Sequence, residues 1–123
     1  MMKVFCLSLA AAMSLGLSAR ADVVTDWNTL LLNAIRTNKT SPPVASRQMA
    51  ILHTSMYDAV NGVKPRYEPY RVRPHVLPAA SPEAAAAAAA HKVMLALYPQ
   101  NAAAYDAAFQ ATLKRVPVHA PAL

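Results

Sequence analysis

The sequence is poor in cysteine and glycine, and each shortage excludes a class of site. The one cysteine, Cys6, lies in the apolar N-terminal stretch, so the rest of the chain can form neither a disulfide nor a zinc site built on thiolates. The only glycines, Gly16 and Gly62, argue against a glycine-rich phosphate loop or a dinucleotide-binding turn. No segment alternates apolar and polar residues as strands do. The sequence therefore predicts an all-α protein without a nucleotide site.

The N-terminal stretch is organised like a secretory signal peptide. Lys3 supplies a positive charge, Val4 to Ser18 is apolar, and Ala19-Arg20-Ala21 has the form of a cleavage site. The apolar run is about fifteen residues, whereas a transmembrane helix needs roughly 20; a retained membrane anchor is the alternative interpretation. We expect residues 1–21 to be removed, which leaves an exported, periplasmic or secreted chain with no transmembrane span.

Acidic residues are also few. Six Asp and Glu face twelve Lys and Arg, and the formal charge of +6 falls by two when Lys3 and Arg20 are removed with the signal. The densest cationic group runs from Lys64 to Arg73, in a stretch that also holds prolines and tyrosines. Such a group can contact phosphates or anionic lipid, so a peripheral membrane binder is one hypothesis. Export argues against nucleic acid as a partner, and we interpret the group as a solvated loop.

Helical periodicity accounts for the first half of the remaining chain. The first predicted helix is capped by Asp22 or Thr25 and ends near Thr37. Ser41-Pro42-Pro43 is a helix-start signal, because the serine can cap the helix and prolines are tolerated in its first turn. This second helix is predicted to end near Asn61, with Gly62 at the C-terminal stop position.

Prolines separate this half from two further predicted helices. The prolines at positions 65, 69, 74, 78 and 82 exclude a helix there, while Tyr67 and Tyr70 indicate an ordered, packed loop. Ser81-Pro82-Glu83 starts a third helix that contains seven consecutive alanines and is stopped by Pro99. Asn101 can cap a fourth helix that ends near Arg115. The prediction is an all-α helical bundle of about four helices.

The second predicted helix carries the residue types that catalysis uses most. His53 and Tyr57 are four positions apart and share one face, whereas Asp58 lies on another stripe with Arg47. His53 and Asp58 therefore do not form a pair within the helix, and no nucleophile motif accompanies them. We interpret His53 and Tyr57 as hydrogen-bonded residues of helix packing, and Asp58 and Arg47 as partners in salt bridges between helices or from helix to loop.

The other titratable residues form no constellation in the sequence. His75 falls in the proline-rich loop, His91 on the alanine helix and His119 in the tail, with no spacing that joins them into a metal site. No pair of carboxylates suits general acid–base catalysis. We interpret the remaining acids as caps or surface residues: Asp22, Asp26, Glu68, Glu83 and Asp106.

Five short motifs follow one another between Asp22 and Tyr70. They are D-W-N at 26–28, P-P followed by A-S-R at 42–47, A-I-x-H at 50–53, M-Y-D-A-V-N at 56–61 and Y-x-P-Y at 67–70. In order and spacing this segment resembles the opening of exported vanadium-dependent haloperoxidase-like proteins, which share a superfamily with type 2 phosphatidic acid phosphatases. The alanine-rich helix and the later Y-D-A-A-F-Q-A-T-L also suit that family, so the resemblance extends to about Pro117.

The resemblance implies a large helical bundle that holds vanadate, or phosphate in the phosphatases. The family's anion site consists of a lysine, two arginines, a Ser-Gly-His segment and a second histidine, all downstream of the matched segment. Bound vanadate activates peroxide to oxidise halide, while in the phosphatases the second histidine is the nucleophile. This chain contains no Ser-Gly-His. Lys64 and Arg73-Pro74 are similar to a Lys…Arg-Pro element of the family, but their spacing is off by two and they lie in the early region.

We therefore assign no catalytic, cofactor-binding or metal-binding residue to this chain. The predicted organisation is a signal peptide at 1–21, an N-terminal helical segment of a haloperoxidase-like domain at 22–117, and a tail at 118–123 that departs from the family. On this interpretation the chain is an N-terminal fragment, inactive alone, whose partner is the remaining C-terminal helices and whose vanadate binds to a full-length parent. The alternative is a self-sufficient exported helical module that binds a partner or small ligand.

Overall fold

The computed structural model describes residues 22–75 and 80–116, which fold into four α-helices. They are α1 (Val23–Thr37), α2 (Pro42–Val63), α3 (Pro82–Leu97) and α4 (Ala102–Arg115), with a 3₁₀ turn at Pro99–Asn101 before α4. This part of the chain contains no strand, and the prediction of an all-α helical bundle is confirmed. The predicted signal peptide, the tail at 118–123 and His119 lie outside the described residues.

The first helix begins and ends as the sequence predicts. The Asp22 carboxylate accepts a hydrogen bond from the Thr25 backbone N–H at 2.8 Å, and this bond lowers the pKa of Asp22. At the other end the Asn38 side chain donates to the Ala34 carbonyl at 2.8 Å. Lys39 follows with φ of 50°, a left-handed conformation that cannot continue the helix.

The second helix differs from the prediction at both ends. Ser41 stands at the N-cap position but makes no side-chain capping hydrogen bond, although the two prolines occupy the first turn as expected. The helix continues through Gly62 to Val63, so the prediction of Gly62 as the stop was wrong. Lys64 has φ of −125° and ψ of 84°, because a residue that precedes proline, here Pro65, is disfavoured in the helical region. The proline, rather than the glycine, ends the helix.

The third helix occupies the middle of the bundle and contacts each of the other three. Ser81 caps it by accepting from the Ala84 N–H at 3.3 Å. Its buried face consists largely of alanines, whose small side chains allow neighbouring helices to approach closely. Asn101 was expected to cap α4, but it makes no side-chain capping bond and belongs to the 3₁₀ turn.

One apolar core joins all four helices. Its buried members come from α1, α2, α3, the residue after α3, and α4: Trp27, Leu31, Ala34, Leu52, Met56, Ala86, Ala87, Ala90, Met94, Tyr98 and Tyr105. The segment that follows α2 lies outside this core and is held by polar contacts instead. Among the helices described here, none combines the length and the apolar character that crossing a membrane requires.

Candidate functional site

His53 and Tyr57 lie on the solvent side of α2. The His53 ring nitrogen Nε2 is 2.9 Å from Asn28 Oδ1 on α1, which ties the two helices together at their surface. The Tyr57 hydroxyl donates to the backbone carbonyl of Glu68 at 2.9 Å, although 40% of the residue remains exposed. The predicted structural hydrogen bonds are therefore present, but both residues are exposed rather than packed between helices.

Asp58 is the most heavily hydrogen-bonded side chain of the candidate set. It is buried, and its two carboxylate oxygens accept three backbone N–H groups at 2.6, 2.9 and 2.8 Å, from Tyr70, Arg71 and Val72. The N–H of Val72 contributes most to lowering the pKa of Asp58; burial opposes this effect, and the other two N–H groups add to it. Asp58 does contact the loop, but the predicted salt bridge was wrong, because backbone amides rather than a cation bind the carboxylate. Arg47, the other predicted salt-bridge partner, forms no ion pair among the described residues.

Asn61 holds the same loop one helical turn further on. Its Oδ1 accepts from the N–H groups of Arg66 and Tyr67, both at 3.0 Å, and its Nδ2 donates to the Tyr67 carbonyl at 2.6 Å. Sequence reasoning missed this role. The available signal was the spacing of Asp58 and Asn61, three apart on one face of a helix that runs directly into a proline-rich loop.

We call residues 64–75 the anchored loop. Its backbone is fixed by the six hydrogen bonds of Asp58 and Asn61 and by the bond from Tyr57, yet its own side chains point largely into solvent. Tyr67 and Tyr70 are 69% and 72% exposed. The sequence predicted an ordered loop packed through its tyrosines; the order is present, but polar groups of α2 supply it.

Lys64 and Arg73, the pair that resembles the family's Lys…Arg-Pro element, both lie in the anchored loop. Both are exposed, and Arg73 Nη2 lies 3.6 Å from the carboxylate of Glu68 within the anchored loop. An exposed pair of this kind adds little stability.

His91 and Asp106 connect α3 to α4. Nε2 of His91 is 2.6 Å from Oδ1 of Asp106, and the imidazole stacks on Phe109 with ring centroids 4.9 Å apart. Trp27 and the same imidazole form a T-shaped pair with ring centroids 6.2 Å apart. From the sequence we interpreted His91 as an isolated histidine and Asp106 as a cap or surface residue. Their hydrogen bond was missed because the two residues lie on different helices. The remaining predicted surface acid of this region, Asp26, pairs with Arg115 at 3.0 Å.

Two buried tyrosines differ in how their hydroxyl groups are satisfied. Tyr98 donates to Gln48 Oε1 at 2.6 Å, and its oxygen also lies 2.6 Å from the Thr40 hydroxyl. Tyr105 is equally buried, but its hydroxyl has no hydrogen-bond partner among the described residues. Burial raises the pKa of Tyr105, and the Asn101 side chain opposes this effect without reaching hydrogen-bonding geometry.

These contacts define what the described residues can do chemically. Two histidines have polar partners, an asparagine amide and a carboxylate, and neither touches a hydroxyl that it could activate as a nucleophile. Within residues 22–75 and 80–116, no group of three His, Cys, Asp or Glu side chains is placed to hold a metal ion. Among the polar residues singled out from the sequence, His53, Asp58 and His91 make hydrogen bonds that join one element to another.

Comparisons of the chain with protein-family models, with curated proteins and with solved structures found no match in any of the three. The resemblance to haloperoxidase-like proteins therefore stays a prediction that rests on the motifs of the sequence.

Proposed function

We propose that this chain is the N-terminal part of an exported vanadium-dependent haloperoxidase-like protein of the phosphatase superfamily. In this proposal it supplies scaffold, and the vanadate or phosphate site belongs to the remaining helices of a full-length parent. The starting point is the set of five motifs between Asp22 and Tyr70 that resemble the opening of such proteins.

The observation that carries the proposal is that these separate motifs contact one another. Asn28 of D-W-N lies 2.9 Å from His53 of A-I-x-H. Asp58 and Asn61 of M-Y-D-A-V-N bind the backbone of Y-x-P-Y through the amides of Tyr67 and Tyr70 and their neighbours. The motifs thus form one structural unit, and the hydrogen bonds of their polar groups hold α1, α2 and the anchored loop together.

The placement of the prolines and of the tryptophan supports the same role. Pro42 and Pro43 of the P-P motif occupy the first turn of α2, where they fix its start. Trp27 of D-W-N is buried in the core at 1% exposure. Residues of these motifs therefore define where α2 begins, how it packs on α1 and where the chain goes after it, which is the contribution expected of a scaffold.

The first test is a direct assay of the full chain. With orthovanadate, hydrogen peroxide and bromide, we expect no bromination of a dye above the protein-free rate, and with p-nitrophenyl phosphate no hydrolysis. Bromination at enzymatic rates that needs both vanadate and peroxide would overturn the scaffold proposal, because it would place a complete site within this chain.

The second test addresses the parent protein. The DNA across and beyond the Leu123 codon is to be sequenced and translated in all three forward frames. The proposal expects further helices with Lys…Arg-Pro, Ser-Gly-His and a late Arg…His. Unrelated sequence behind a genuine stop codon would remove the parent from the proposal.

A self-sufficient exported helical module is the second candidate. The observation that favours it is the single apolar core, to which all four helices contribute large buried side chains such as Trp27, Leu52, Met94 and Tyr105. This candidate expects a monodisperse chain with a cooperative thermal transition. A molten or aggregating chain would count against it and favour a fragment that needs its parent.

A further inference from the structure

A cleft of about 580 Å³ lies where four elements of the structure meet. It is lined by Val24 of α1, Tyr57 of α2, Tyr67 of the anchored loop and Pro82 of α3. Met56 of α2, a member of the buried core, also lines the cleft, which therefore reaches the edge of the core. We call it the junction cleft. Concavities of about 300–1,000 Å³ between the helices of a bundle are common sites for small molecules.

Exposed apolar side chains converge on the junction cleft from separate elements. Val24, Tyr57 and Tyr67 each keep more than a third of their surface exposed. One exposed apolar side chain is ordinary, whereas several that line the same concavity mark a place where a ligand can bury apolar surface. Tyrosine rings favour aromatic partners in stacked or edge-to-face contacts, and the thioether of Met56 also favours contact with an aromatic ring.

The walls of the junction cleft are held in place without a ligand. Asn61 binds the backbone N–H and carbonyl of Tyr67 at 3.0 and 2.6 Å, and the Tyr57 hydroxyl donates to the Glu68 carbonyl at 2.9 Å. One tyrosine is thus carried by α2, and the other by a loop that is hydrogen-bonded to α2. A wall that is already ordered loses little conformational entropy on binding, so more of the contact energy remains as affinity.

His53 gives the junction cleft a hydrogen-bond acceptor. This histidine lines the cleft, and its Nε2 lies 2.9 Å from Asn28 Oδ1, an atom that can only accept. In the neutral imidazole Nε2 therefore carries the hydrogen, and Nδ1 is left as an acceptor. No donor to Nδ1 is found among the described residues. A ligand with an N–H or O–H group can supply that donor.

Charge does not select the ligand of this cleft. Lys64, Arg66 and Glu83 all belong to its lining, so charges of both signs are present. The other features of the lining are apolar and aromatic side chains and one imidazole acceptor. An uncharged ring system with a single polar donor matches these features.

We propose that the junction cleft binds a small neutral aromatic compound that carries one N–H or O–H donor. The ring of the compound packs against Tyr57 and Tyr67, and its donor hydrogen-bonds to Nδ1 of His53. The proposal does not depend on the scaffold role, because all the residues that line the cleft belong to this chain.

The test uses indole, which is neutral and aromatic and has one N–H donor. The matched ligand, 1-methylindole, lacks that donor. The full chain, labelled with ¹⁵N, is titrated with each compound and followed by the amide signals in NMR spectra. We expect indole to shift the signals of Val24, Tyr57 and Tyr67 in a saturable way, while the signal of Gln110, exposed on α4, stays in place. We expect 1-methylindole to bind about fivefold or more weakly, because one hydrogen bond is lost.

Four variants locate the ligand. Tyr67→Ala should weaken the binding of both compounds about fivefold or more. Tyr70→Ala is the matched control, because this tyrosine is similarly exposed in the same loop but does not line the junction cleft. His53→Phe keeps an aromatic ring and removes the acceptor, so it should bind the two compounds with similar affinity. His75→Phe, the same change at an exposed histidine outside the cleft, should keep the preference for indole.

Four outcomes would overturn the proposal. Absence of saturable shifts, in a chain whose helices are verified by circular dichroism, would remove the aromatic compound as a ligand. Equal weakening by Tyr67→Ala and Tyr70→Ala would place binding outside the cleft. An unchanged preference for indole in His53→Phe would exclude the hydrogen bond to Nδ1. Binding of N-acetyltryptophanamide at least about tenfold tighter than that of indole would assign the cleft to a side chain of a partner protein.

Discussion

The carboxylate of Asp58 supplies the hydrogen bonds that an irregular loop cannot make within itself. Three consecutive N–H groups, from Tyr70 to Val72, converge on its two oxygens, and charge-assisted bonds of this kind are about twice as strong as neutral ones. The neutral amide of Asn61 also binds the loop backbone: it accepts from the N–H of Arg66 and donates to the carbonyl of Tyr67. Two side chains of α2 thus fix a loop that contributes few buried apolar contacts.

Asp58→Asn is expected to loosen the anchored loop while the helices persist. The new amide would place its own N–H group against the backbone N–H groups of the loop, which then lack an acceptor. Hydrogen exchange at Tyr70, Arg71 and Val72 should accelerate about tenfold or more, as measured by NMR or mass spectrometry. Glu68→Gln is the control, because it also neutralises a loop carboxylate but one that is exposed. Unchanged exchange in Asp58→Asn would show that the loop is held by other contacts.

Acid should weaken the same anchor. The pKa of Asp58 is lowered in the folded chain, so its stabilising effect is complete above its unfolded pKa of about 3.9 and is lost as pH falls through the folded value. The melting temperature of the unsubstituted chain should therefore fall more steeply below about pH 4 than that of Asp58→Asn. Asp22 has a lowered pKa for the same reason and contributes a slope that both proteins share. Parallel pH profiles would contradict the assignment to Asp58.

The two buried tyrosines provide a matched pair of substitutions. Tyr98→Phe removes a hydroxyl that is bonded to Gln48 and Thr40, and should lower the free energy of unfolding by about 1–2 kcal/mol. Tyr105→Phe removes a buried hydroxyl without a described partner, and should leave stability within about 0.5 kcal/mol or raise it. Urea unfolding measures both. A loss above about 1 kcal/mol in Tyr105→Phe would indicate that the hydroxyl is hydrogen-bonded after all.

At the scale of the element, α3 has the least distinctive sequence and the most central position. Its alanines offer no large apolar stripe, but they let α2 approach, and the three fully or almost fully buried ones, Ala86, Ala87 and Ala90, lie in the core. The link from His91 to Asp106 then holds α4 to its C-terminal half. Small size, rather than hydrophobic area, is what this helix contributes.

Ala87→Leu should therefore destabilise the bundle by about 1–3 kcal/mol, because Ala87 is 0% exposed and extra methyl groups have no space. Ala96→Leu, at an exposed position of the same helix, should change stability by no more than about 0.5 kcal/mol. Chemical denaturation of the two variants makes the comparison. Equal effects would mean that helix propensity, and not close packing, sets the response of α3.

At the scale of the whole molecule, one core is shared by elements that are distant in sequence. Trp27 on α1 approaches His91 on α3, and Arg115 at the end of α4 reaches back to Asp26 on α1. No helix buries its apolar face without the others. The four helices are therefore expected to unfold together.

The chain has one tryptophan, so the fluorescence of Trp27 reports on the shared core. Thermal unfolding followed by this fluorescence and by circular dichroism at 222 nm should give coincident transitions. A fluorescence change at lower temperature than the loss of helix would indicate that the core loosens first. That result would contradict a cooperative four-helix unit and support a need for further helices.

The sequence alone determined the number, the order and most of the limits of the helices. Proline positions, the Asp22 and Ser81 caps and apolar periodicity act locally, within one or two turns, and local signals of this kind can be read without a structure. The error at Gly62 came from two competing local signals, of which the restriction imposed by Pro65 was the stronger.

Only the tertiary structure decided what the polar residues do. Asp58 was expected to pair with a cation, but it accepts hydrogen bonds from three backbone amides twelve to fourteen positions along the chain. His91 is hydrogen-bonded to the carboxylate of Asp106, fifteen positions along the chain. Such partners depend on how the chain returns upon itself. The polar groups of α2 bring the loop back onto that helix, and packing of α4 on α3 brings Asp106 to His91; no local pattern encodes either contact.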